Sequence, residues 1–251
     1  MLEVADSLIQ TDELIHLAGI VILAGGASKR MGSPKAELIL PTGERLLDYH
    51  VRQALELSAA MMSNLPIMIA DNGRGFTITP DLIVNNQQVP IIHIADYLSS
   101  NTLYGDDDEQ IETGGALVAI EAALQSLKSL ASSNQLTKDA NWQQSWLMVI
   151  SCDSLIPISD LWQKLQPYIT QAADKSVICL TDNEHLYPLL GLYRLDIEPD
   201  LKCYLDDSQR QVMRFIKPIV KPVALPQNWH YLTNFNTPDA FECACTALRD
   251  I

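Results

Sequence analysis

"AGIVILAGGASKRMGSPKA", residues 18–36, is the stretch that decides how the rest of the chain is understood. Its first six residues are apolar and partly β-branched, the mark of a buried strand. Two adjacent glycines, Gly25 and Gly26, close that strand. Lacking a Cβ, they let the backbone come close to a ligand with N–H groups open to phosphate oxygens. Arg30 and Lys35 then put two cations into the same loop. The spacing is not that of a P-loop, and no Gly-x-Gly-x-x-Gly dinucleotide fingerprint occurs. A bare glycine turn with surface cations would account for Gly-Gly alone, but the whole string points to an anionic ligand.

The charge balance sharpens that contrast. The 251 residues include 17 Lys and Arg against 31 Asp and Glu, a net charge of −14. Such a field repels phosphate backbones and anionic lipid, so neither a nucleic acid nor a membrane is expected as a partner. No apolar run approaches the roughly 18 residues of a membrane span. The acidic opening "MLEVADSLIQTDELIH" lacks the basic start and apolar centre of a signal peptide, and a cytoplasmic protein is expected. Five scattered cysteines, Cys152, Cys179, Cys203, Cys243 and Cys245, fit reduced thiols in that compartment.

Apolar runs alternate with helical patterns along the chain. "AGIVIL" (18–23), "PIMIA" (66–70), "VPIIHI" (89–94), "WLMVIS" (146–151) and "SVICL" (176–180) predict strands. Helices are predicted over 45–62, 115–131 and 159–173, the last with Ser159 as its N-cap. This order implies an α/β fold with a mostly parallel sheet, taken as one domain over 18–251 after an N-terminal extension at 1–17. An acidic, aperiodic insert spans 98–113. Ligands of such sheets gather outside the carboxyl ends of the strands. Those ends are the glycine loop, "ADNGRG" (70–75), "ADYLSS" (95–100) and "SCDSLIP" (151–157), which places Asn72, Asp96 and Asp153 beside Arg30 and Lys35. Gly114 and Gly115 open the next helix. Taken as ordinary structure, Asp153 would be a helix cap, and Asn234 and Asn236 would be turn residues ahead of Pro238.

At this point the chain resembles a family. "LAGGASKRMGSPKA" (23–36) resembles the signature of the nucleotidyltransferases that activate sugar phosphates, isoprenoid precursors and molybdopterin. "WLMVISCDSLIPIS" is similar to that family's magnesium-aspartate strand, although Leu155 stands where a proline is usual. "HLYPLLGLYRL" from residue 185, "RQVM" at 210–213 and "LTNFNTPDAFE" at 232–242 resemble the molybdenum cofactor guanylyltransferases. The resemblance implies a single Rossmann-like three-layer domain of the nucleotide-diphospho-sugar transferase type. It implies transfer of GMP from GTP to molybdopterin with loss of pyrophosphate, Mg2+ as cofactor, and passing contact with other molybdenum cofactor proteins. Cytidylyl transfer, nucleotidyl transfer to a sugar phosphate and a non-catalytic nucleotide-binding module are the alternatives.

The resemblance also assigns roles. Lys35 would meet the α-phosphate and Arg30 the β and γ phosphates, where a planar fork pairs two oxygens. Asp153 would hold magnesium. The main chain of Leu23, Ala24, Gly25 and Gly26 would border base and ribose, with Asn72, Asp96 and Gly115 completing the nucleotide site. Asp106–Asp108 compete with Asp96 for its place. Asn234 and Asn236 would face the acceptor, with His185, Tyr187 and Arg210 at its border. An acceptor phosphate is already anionic, so no dedicated general base is required.

Overall fold

The computed structural model describes residues 16–26, 30–95, 115–133, 142–172 and 174–250. The leading extension up to residue 15 and the acidic insert at 98–113 lie outside the described residues, as do Asp96 and Gly114.

Seven strands form one sheet in the order β3-β2-β1-β4-β6-β5-β7. They are β1 (Leu17–Leu23), β2 (Ile67–Ala70), β3 (Ile91–Ile94), β4 (Trp146–Ser151), β5 (Val177–Thr181), β6 (Leu186–Arg194) and β7 (Val220–Ala224). The pairs β1–β2, β2–β3, β1–β4 and β5–β7 are parallel, while β6 runs against both β4 and β5. The mostly parallel α/β sheet expected from the sequence is therefore present.

Strand periodicity sorts the core into two layers. Ile20 and Ile22 of β1, with Met148 and Ile150 of β4, pack on one face against α1 (Leu46–Ala60), α4 (Ile158–Leu165) and α7 (Pro238–Ala247). Val21, Leu147 and Val149 point to the other face, beneath α3 (Ala116–Ser133), α5 (Glu198–Asp206) and α6 (Val212–Ile216). A short α2 (Pro80–Val84) follows β2. Because both faces are covered, β1, β2, β4 and β5 read as continuous apolar runs. Gly19 sits where α3 presses closest on β1: a Cβ there would lie 2.8 Å from the Leu127 side chain.

Two expectations need correcting. Helix α4 begins at Ile158 behind Pro157, whose extended backbone (φ −58°, ψ 135°) sets the start, so Ser159 lies inside the first turn and is no cap. The helix also stops at Leu165 instead of 173. Pro167 has no N–H to give the ladder, and residues Gln166–Tyr168 tighten into a 3-10 turn. All five cysteines are free, with Cys152, Cys179 and Cys245 buried.

Candidate nucleotide site at the carboxyl edge of the sheet

The carboxyl ends of β1, β2 and β4 are tied side by side just beyond the last ladder pairs. Ala24 N donates to Ala70 O (2.8 Å) and Cys152 N to Leu23 O (3.0 Å). The first residues of the glycine loop thus leave the sheet between its two neighbours. Residues 27–29 lie outside the described residues, and the chain resumes at the exposed Arg30. Gly32 then takes φ +73°, a left-handed turn that glycine adopts without strain. A 3-10 turn at Lys35–Glu37, anchored by buried Ala36, aims Lys35 back at the sheet.

Three distant segments meet at that ammonium. Lys35 Nζ lies 2.9 Å from Asp153 Oδ2 and donates at 2.6 Å to Asn236 Oδ1, across 118 and 201 residues of sequence. Asn236 Nδ2 in turn donates to Asn234 Oδ1 (2.7 Å), and the Ser151 hydroxyl donates to the other oxygen of Asp153. Buried Phe235 lies below, its ring centroid 5.9 Å from Nζ. Main-chain bonds from Phe235 N to Asp153 O (3.1 Å) and from Leu155 N to Leu232 O (2.8 Å) stitch the two loops together. The side chains of Lys35 and Asp153 remain 13% and 24% exposed, so the pair is open to a ligand from one side.

The ordinary-structure accounts of these residues fail on geometry. Asp153 cannot cap α4, which starts five residues later behind Pro157. The cap of α7 is Thr237, whose hydroxyl accepts from Ala240 N, with Pro238 in the first turn. Asn236 instead meets Lys35, and Asn234 joins it through Asn236.

A second, smaller unit follows β2. Asp71 is buried and accepts from Gly73 N and Phe76 N (both 3.0 Å), with His93 Nδ1 at 3.3 Å. Its carboxylate folds residues 71–76 into a tight turn in which Asn72 takes φ +57°. Asn72 is itself buried, and its Oδ1 has no hydrogen-bond partner. Arg74 reaches back to Gly26 O (3.0 Å), joining this turn to the glycine loop.

A family model described as the MobA-like NTP transferase domain matches residues 20–223. The chain belongs to that family. Its curated relatives include the molybdenum cofactor guanylyltransferase of Pseudomonas syringae pv. syringae, 25% identical over 233 residues and 92% of each chain. A probable molybdenum cofactor guanylyltransferase of Rhodopirellula baltica is 26% identical over 219 residues and 87% of each chain. Among solved structures, molybdopterin-guanine dinucleotide biosynthesis protein A from Archaeoglobus fulgidus aligns with a TM-score of 0.57 at 15% identity, covering 93% of this chain and 100% of its own. A 4-diphosphocytidyl-2C-methyl-D-erythritol synthase aligns at 0.53 and 10% identity, covering 94% of this chain and 100% of its own. At those identities the likeness is one of fold alone.

In this MobA-like domain the expected site residues separate into groups. Lys35, Asp153, Asn234 and Asn236 come together. Leu23, Ala24, Gly25, Gly26 and Asn72 line the neighbouring strand ends, with Arg30 exposed at the end of the glycine loop. Gly115 opens α3 at φ +76° with open space where a Cβ would point. His185 is exposed on the β5–β6 hairpin, while the Tyr187 hydroxyl donates to Asp182 (2.6 Å) and holds that carboxyl down at about 2. The Arg210 guanidinium donates to the carbonyls of Leu205 and Gln209 at the end of α5.

Asp71, Ser151, Arg74 and Phe235 are the site's contributors that sequence reasoning passed over. Asp71 had a signal, an acidic residue directly ahead of Asn-Gly, which is turn chemistry. Among the described residues no group of three or more His, Cys, Asp or Glu could enclose a metal. The donors at the site are the Asp153 carboxylate and the Asn234 and Asn236 amide oxygens. This sparse, all-oxygen set fits magnesium, which takes one or two carboxylates and fills the rest of its shell with phosphate and water. Among those residues no helix is long and apolar enough to cross a membrane.

Proposed function

We propose that the protein transfers GMP from GTP to the terminal phosphate of molybdopterin, releasing pyrophosphate and forming molybdopterin guanine dinucleotide. The observation that carries this reading is the Lys35 ammonium held between the Asp153 carboxylate and the Asn236 amide at the carboxyl edge of the sheet. The names of the curated relatives support the acceptor and the base.

An oxygen of the acceptor phosphate attacks the α-phosphorus, a new P–O bond forms, and the bond to the bridging oxygen of pyrophosphate breaks. Every reactant is anionic, so neutralisation and alignment supply most of the rate. Lys35 turns its three donors from Asp153 and Asn236 to the α-phosphate oxygens, where charge builds up. Arg30 faces the leaving pyrophosphate. Asp153, with the asparagine amides beside it, would hold magnesium, and that ion would supply charge screening between the phosphates. Asn72 Oδ1 is a buried acceptor awaiting a donor, and guanine offers N1–H and the 2-amino group on one edge.

The test is calorimetric titration of GTP, CTP, UTP and ATP with and without magnesium, followed by pyrophosphate release on adding molybdopterin. Selective, magnesium-dependent GTP binding and acceptor-dependent release are expected. Preference for CTP would overturn the base assignment, and absence of binding would leave a protein with the fold but without the chemistry.

A further inference from the structure

Asp48 is a buried carboxylate that the proposed chemistry does not touch, and it stands between two arms of the site. It lies in the first turn of α1 and accepts three hydrogen bonds. Thr79 N reaches its Oδ1 (2.8 Å), while the Thr79 hydroxyl and Arg45 Nε reach Oδ2 (both 2.8 Å). A carboxylate is costly to bury, and three donors, one of them charged, offset that cost.

The donors come from different arms. Arg45 closes the hairpin that continues from the Lys35 turn: Leu40 N donates to Glu44 O (2.9 Å), Leu46 N to Leu38 O (2.8 Å), and Ile39 bridges to Arg45. Thr79 ends the segment that begins at Asp71. Asp71 folds the first part of that segment onto its own carboxylate, and buried Phe76 and Ile78 carry the chain on to Thr79. The turn that bears Asn72 is thus held at one end by Asp71 and at the other by Asp48.

Thr79 departs from its local role to make this contact. It occupies the N-cap of α2, where a threonine hydroxyl ordinarily accepts from the first N–H groups of its own helix, yet no side-chain cap bond forms there. The hydroxyl is turned to Asp48 instead, across 31 residues of sequence. A local preference overruled beside a functional turn is the pattern of a rule broken for function.

We infer that Asp48 is a positioning residue for nucleotide recognition: through Thr79 it fixes the segment that carries Asn72, and through Arg45 it ties that segment to the hairpin behind Lys35. It thereby sets the spacing between the place of the base and the place of the triphosphate. The inference deepens the reading of the protein as a GTP-dependent nucleotidyltransferase and rests on it.

Full-length Asp48→Asn, Thr79→Val and Thr79→Ser variants test it, together with the Asp48→Asn/Thr79→Val double variant. Calorimetry gives the affinity of each for GTP and for inorganic triphosphate, both with magnesium, beside a urea unfolding midpoint. Asp48→Asn and Thr79→Val should each lose about tenfold in GTP affinity and hold triphosphate affinity within about twofold, because only the base side is displaced. Thr79→Ser keeps the hydroxyl and should keep wild-type affinity for both. The double variant should bind GTP about as well as Asp48→Asn alone, since both changes remove one shared contact. Wild-type GTP affinity in Thr79→Val would overturn the inference, and this variant decides the matter even if Asp48→Asn fails to fold. Equal losses for GTP and triphosphate would overturn it too, since they describe general loosening. If wild type itself binds GTP no better than triphosphate, the GTP reading falls and takes the inference with it.

Discussion

The cluster around Lys35 and the turn at 71–76 lie along one edge of the sheet, but they are built in opposite ways. The cluster gathers side chains from three segments far apart in sequence, and its charges are answered: ammonium by carboxylate and amide, carboxylate by hydroxyl. The turn is local, folded by one buried carboxylate on its own main chain, and it keeps a buried amide oxygen unanswered. Charges that are paired without ligand can be handed to a ligand at little cost in stability. An unanswered acceptor penalises every ligand that cannot donate to it. The first arrangement suits chemistry, and the second suits discrimination.

That contrast can be broken most sharply at Lys35. Lys35→Ala should lower turnover by about 10²–10³-fold while the unfolding midpoint hardly moves, because the remaining Asp153 is partly solvated. Steady-state pyrophosphate release against thermal melting checks both halves. Near-normal turnover would remove Lys35 from the chemistry.

Away from both regions, the buried His50 of α1 should show itself in acid. His50 is held near 4 in the folded protein against 6.5 when unfolded. Between those values only the unfolded chain takes up the proton. Stability is therefore fully present above about pH 6.5 and is lost as pH falls towards 4, by roughly 3 kcal/mol from this group. Cys152, Asp153 and Tyr49 are the titratable groups that surround it. Urea unfolding from pH 7 to 4.5 should give a slope in wild type that His50→Phe flattens, and equal slopes would refute the assignment.

On the other side of the comparison, Asp71→Asn removes the charge that two amides share. A loss of about 2 kcal/mol and several degrees of melting temperature is expected, with weaker binding of all four nucleotides. Asn72→Gly should do the reverse. Glycine accepts φ +57° without strain, so stability holds while preference for GTP over ATP falls about tenfold. If selectivity stayed and general affinity dropped, discrimination would lie elsewhere.

How much of this was legible in the sequence follows from the same contrast. Strands β1, β2, β4 and β5 announce themselves because burial on both faces leaves unbroken apolar runs. The glycine loop, Lys35 and Asp153 stand at the ends of such runs and are found with them. Strands β6 and β7 are harder to see, since "LYPLLGLYR" and "VKPVA" carry prolines and mixed patterns. Ser159 misleads because Pro157, two residues earlier, had already set the helix start. The partnership of Lys35 with Asn236 has no local signature at all, being a product of topology.

The distances along the chain have one further consequence, in the order of synthesis. A ribosome delivers the glycine loop first, Asp153 well over a hundred residues later, and Asn234 to Asn236 later still. The sheet's central strands can pair before that last segment emerges, since domains begin folding from their leading end. Until it arrives, however, Lys35 lacks Asn236, and the β4 turn lacks its main-chain bonds to Leu232 and Phe235. A nascent chain is thus a sheet built before its Lys35 cluster can close, and an interrupted chain that stops short of Asn234 never closes it.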